Sequence, residues 1–91
     1  TYVDPDGSCV NCLVADGCTI EGTVESSILF RGVSVARGAE VKNCVLMQDV
    51  TVDRNAVLHY VVADKNVEIL ESRTLMGHDQ YPMAIAKNSK V

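Results

Sequence analysis

The chain has little positive charge to spare: eight Lys and Arg stand against twelve Asp and Glu, a formal net charge of −4 with a pI near 4.9. Nucleic acid and anionic membrane surfaces both need a basic face to bind, so neither is expected as a partner. No unbroken apolar stretch is long enough to cross a bilayer, and no signal-peptide pattern opens the chain, which places it, as an expectation, in the cytoplasm. Histidine is scarce, with only His59 and His78. A Gly-rich phosphate loop, an H-x-x-x-H pair and a serine set beside a partner base are all missing. No catalytic residue and no metal site is assigned within the chain.

What is present is a repeat. Asn11-Cys12-Leu13-Val14-Ala15-Asp16-Gly17-Cys18-Thr19-Ile20 aligns with stretches beginning at Ser26, Asn43 and Tyr60, at offsets of 15, 17 and 17 residues. Self-similarity at so short a period marks a solenoid in which each turn of chain stacks on the last. Ninety-one residues are near the lower limit for a self-sufficient compact core, and a solenoid eases that limit because its core grows with each coil. Within a period the aliphatic residues return at spacings near six, as in Val35, Val41, Leu46, Val52 and Leu58. That fits neither the continuous three-and-four spacing of a helix nor the strict alternation of a simple strand. Short strands joined by corners, three to a triangular coil, satisfy it. The expected fold is all-β, a parallel β-helix of hexapeptide units with about four coils, roughly 20 Å tall at a strand spacing of about 4.8 Å.

The same register sorts the cysteines. Cys9-Val10-Asn11-Cys12 is a C-x-x-C, which alone fits a redox pair or half a zinc site. In register, however, Cys9 falls with Val24, Val41 and Leu58, Cys18 with Val33, Val50 and Val67, and Cys12 and Cys44 with Ser27 and Val61. These are packing columns, so all four thiols are expected to be reduced and structural. Gly17, Gly32, Asp49 and Asn66 form one corner column, and Gly38 and Asn55 another, built from residues that tolerate positive φ. Val52 is assigned to the apolar axis. Gly32→Val is expected to cost more than Gly22→Val, because only Gly32 lies in a recurring corner column.

Two outer columns are candidate interaction sites. Arg37 and Arg54 lie one period apart at a corner, and stacked guanidinium groups there invite an anion such as a phosphate. The alternative is two splayed arginines near Asp53 or Glu40. Phe30 and Met47 share a column with Ala15; if the preceding column, Val14, Leu29 and Leu46, points inward, they form an exposed apolar stripe suited to docking. Adjacent apolar columns leave that orientation open. By domain, 1–8, with Asp4-Pro5 and Asp6-Gly7, is expected to be a linker from a missing N-terminal element. Residues 9–70 are the β-helix and 71–91 a C-terminal capping tail.

Residues 9–69 carry a family resemblance. Asn11-Cys12-Leu13-Val14, Val24-Glu25-Ser26-Ser27-Ile28-Leu29 and Val41-Lys42-Asn43-Cys44-Val45-Leu46 repeat a step of Val-x-(Asn/Ser)-(Cys/Ser)-aliphatic-aliphatic. In this the chain resembles the C-terminal left-handed β-helix of ADP-glucose pyrophosphorylase (glucose-1-phosphate adenylyltransferase). The ending Arg73-Thr74-Leu75-Met76-Gly77-His78, with Tyr81-Pro82 and Ile85-Ala86-Lys87, is similar to the non-catalytic, regulatory-type subunit of glycogen synthesis in Gram-positive bacteria. The resemblance implies a left-handed coil. It also implies a parent enzyme that makes ADP-glucose and pyrophosphate from ATP and glucose 1-phosphate with Mg²⁺. The partners it implies are an N-terminal nucleotidyltransferase domain and other adenylyltransferase subunits, as a tetramer. Carried over by position, Arg37 and Arg54 are its candidate effector-side residues. The rival readings are a hexapeptide-repeat acyltransferase, which would need a histidine at a groove between prisms and a loop interrupting a coil, and the β-helix of another sugar-nucleotide pyrophosphorylase, such as one for GDP-mannose.

Overall fold

The computed structural model describes residues 2, 3, 5, 7–78 and 80–91; of the turn residues named above, Asp4 and Asp6 lie outside this set. The described chain runs through fifteen short strands, three to a coil. The first coil is β1 (Tyr2–Val3), β2 (Ser8–Val10) and β3 (Leu13–Val14); the second is β4 (Thr19–Ile20), β5 (Thr23–Glu25) and β6 (Ile28–Leu29). The third comprises β7 (Ser34–Val35), β8 (Glu40–Lys42) and β9 (Val45–Leu46), and the fourth β10 (Thr51–Val52), β11 (Val57–His59) and β12 (Val61–Ala63). The fifth is β13 (Glu68–Ile69), β14 (Thr74–Met76) and β15 (Met83–Ile85). Every third strand joins the same parallel sheet, giving three five-stranded sheets around one axis. This is the left-handed parallel β-helix architecture of hexapeptide units.

Register follows the sequence period. Val35 pairs with Val52 and Val52 with Ile69 in the first sheet, Val24 with Val41 and Val41 with Leu58 in the second, and Leu29 with Leu46 in the third. All of these side chains are buried on the axis. Each such aliphatic side chain contributes about 1.5–3 kcal/mol when withdrawn from water. The corner columns Val33, Val50, Val67 and Ala39, Ala56 are equally dry.

Corners are closed by backbone strain met with suitable residues. Gly17, Gly32, Asp49, Asn66 and Asn88 have φ of 78°, 74°, 60°, 59° and 63°. Gly38, Asn55 and Ser72, at 80°, 60° and 60°, form the second such column. A third, Asn11, Ser26, Asn43 and Tyr60, turns the chain from the second sheet to the third. There the next residue donates back across the turn: the Cys12, Ser27 and Cys44 side chains reach the carbonyls of Val10, Glu25 and Lys42 at 3.1, 2.8 and 3.1 Å. Those carbonyls also accept the amides of Ser26, Asn43 and Tyr60 from the coil below. The Asn/Ser-Cys/Ser step is therefore a corner in which one residue takes the left-handed conformation and the next satisfies a carbonyl.

The coil extends beyond 9–70 at both ends. Tyr2–Val3, expected in a linker, pairs with Thr19–Ile20, and the tail expected as a cap supplies β14 and β15, with Lys90 bridging to Glu68. The tail hid its rung because Val62 pairs with Ala84 at an offset of 22 rather than 17, five residues having been inserted between β14 and β15. Gly22, expected to cost less than Gly32 on substitution, is itself closely packed. A Cβ there would lie 2.5 and 2.7 Å from the carbonyl oxygens of Ala39 and Ala36, whereas at Gly32, where φ of 74° already strains a side chain, it would meet the end of the Asp49 side chain. The reason is the shortened corner of the second coil, where two residues, Glu21 and Gly22, sit over the four-residue turn Ala36 to Ala39.

Candidate functional site

Because strands alternate their side chains between the axis and solvent, each sheet presents one outer face, and the three faces differ in chemistry. The first sheet shows Thr19, Ser34, Thr51 and Glu68. It is polar throughout those rungs.

The second sheet carries an ion ladder. Glu25, Lys42 and His59 occupy one column on successive rungs. Lys42 Nζ lies 3.4 Å from Glu25 Oε2 and 3.4 Å from Glu40 Oε1, and His59 Nε2 lies 3.2 Å from Glu40 Oε2. The hydrogen bond from His59, helped by Lys42, holds the Glu40 carboxyl below its usual range, while Glu40 and then Glu25 push the Lys42 ammonium up. His59 is thus engaged within its own sheet. His78 follows Gly77 in the segment between β14 and β15, where it exchanges backbone hydrogen bonds with Tyr81.

The third sheet is apolar on its outer face. Leu13, Ile28, Val45, Val62 and Ala84 stack in one column. Leu13 is 70% and Ile28 40% exposed. Since Leu29 and Leu46 point to the axis, the adjacent Phe30 and Met47 point outward, Phe30 exposed and Met47 half-buried. Phe30, with Leu13, Ala15 and Ile28, borders a shallow groove of about 310 Å³. The sequence groups Phe30 and Met47 in one column and leaves its orientation open; the column from Leu13 to Ala84 is found only in the structure. Its signal was the paired aliphatics of each repeat, Leu13-Val14, Ile28-Leu29 and Val45-Leu46, of which the alternation must turn one outward.

Arg37 and Arg54 occupy successive rungs of the corner between the first and second sheets, tied by Asn55 N donating to Arg37 O and Ser72 N to Arg54 O. The Arg54 guanidinium meets Glu71 on the next rung, Nη2 to Oε2 3.5 Å, rather than Asp53 or Glu40 through its side chain. Among the described residues no cluster of three or more His, Cys, Asp and Glu is arranged to hold a metal ion. Among the described residues no helix is long and apolar enough to cross a membrane.

Comparison with known proteins adds a family. Residues 2–84 match the GlmU-like, C-terminal hexapeptide family. The chain is 35% identical to glucose-1-phosphate adenylyltransferase of Corynebacterium jeikeium over 93% of its length, and 47% identical to that of Frankia casuarinae over 69%. It is 40% identical to the glycogen biosynthesis protein GlgD of Bacillus subtilis over 85%. It spans only 22%, 16% and 22% of those relatives' own lengths.

Proposed function

We propose, on the premise that this chain belongs to the GlmU-like, C-terminal hexapeptide family, that it is the assembly and regulatory module of a glucose-1-phosphate adenylyltransferase subunit in glycogen biosynthesis. The observation that carries the reading is the continuous apolar column Leu13, Ile28, Val45, Val62 and Ala84 on the third sheet, flanked by Phe30 and Met47. A soluble surface seldom keeps so contiguous an apolar strip without a partner. In a chain similar to adenylyltransferases several times its length, the partner proposed is the nucleotidyltransferase portion of the subunit, with a tetramer as the assembled form.

The parent enzyme would join ATP and glucose 1-phosphate into ADP-glucose and pyrophosphate, with Mg²⁺ held outside this segment. The chain itself is proposed to be non-catalytic. Its similarity to enzymes and to GlgD alike supports either a catalytic or a regulatory-type parent. Arg37 and Arg54 are the proposed effector-side residues, with Glu71 as the carboxylate an anionic effector would have to displace from Arg54.

The test uses the full-length subunit. Ile28→Lys with Val45→Lys leaves the axis untouched and places two charges on the outer face. The expected result is a smaller species by light scattering and lost ADP-glucose synthesis, with the melt of the β-helix retained. Unchanged assembly and unchanged synthesis would refute the reading. The acyltransferase reading keeps one observation, the inserted segment bearing His78 in the fifth coil. Acetyl transfer from acetyl-CoA that depends on His78 or His59 would favour it.

A further inference from the structure

We draw no further inference here: the strongest candidate, the trough of about 440 Å³ at the corner between the third and first sheets, where Asp16, Arg31, Gln48 and Asp49 flank Gly17 and Gly32 on successive rungs, is a solvent-facing corner with a glycine pair set between carboxylates, and nothing in the structure shows what would occupy it.

Discussion

Asn11, Ser26, Asn43 and Tyr60 hold φ of 54°, 50°, 54° and 56° at the same corner of four successive coils. For a residue with a Cβ that conformation costs about 1–2 kcal/mol, least for Asn, whose short polar side chain tolerates it. Tyr60 is the bulky member of the column. Tyr60→Asn is expected to stabilise the protein by about 0.5–1 kcal/mol and raise the melting midpoint by a few degrees; a lowered midpoint in a thermal melt would show that the ring contributes more than the strain removes. This column was the hardest to see in the sequence. Gly17, Gly32, Asp49 and Asn66 announce a left-handed corner by composition, but a Ser and a Tyr among two Asn do not, and only the backbone shows that the four share one conformation. The Cys12, Ser27 and Cys44 column was read as small packing residues. That was right for the burial of Cys44 and Ser27 and incomplete for their chemistry, since each also donates to a carbonyl two residues back.

A coil is the element of this fold, and coils differ only in their corners. The fifteen-residue step between the first coils and the seventeen-residue steps after them all keep their strands in register, so the difference must be absorbed where the chain turns. Gly22 is where it is absorbed, pressed against the carbonyls of Ala36 and Ala39. Gly22→Ala should therefore lower the melting midpoint more than Gly17→Ala, by about 1–3 kcal/mol of overpacking against backbone that cannot move aside. At Gly17 an added Cβ meets nothing closer than Gly32 N at 3.7 Å and the φ of 78° is the sole penalty. The reverse order in paired thermal melts would dismiss the short-corner account. Sequence columns alone rank Gly22 below Gly32 because it does not recur, yet a position used once is not thereby unconstrained. The insertion between β14 and β15 taught the same lesson at the other end, where a coil with a five-residue excursion keeps the register of its neighbours and loses its place in the repeat.

For the molecule as a whole, stability rests on one unbroken apolar axis. Val52, fully buried between Val35 and Ile69, lies near its middle. Val52→Asp should abolish cooperative unfolding, since an unpaired carboxylate in that shaft costs several kcal/mol, a large part of what a domain this small can hold. A normal two-state melt followed by circular dichroism would contradict the axis. The period of the sequence was sufficient to determine the class of fold and the register of neighbouring coils, because a stack of identical rungs makes each residue's neighbour the one a period away. What only the tertiary structure decided was that Tyr2–Val3 and the segment after Leu70 join the stack, and which of two adjacent aliphatic columns faces out. Both depend on which side of each rung is covered, and coverage is a property of the assembled prism: the same Leu-Val, Ile-Leu and Val-Leu pairs place one side chain in the core and one on the outer face only once three sheets have closed around them.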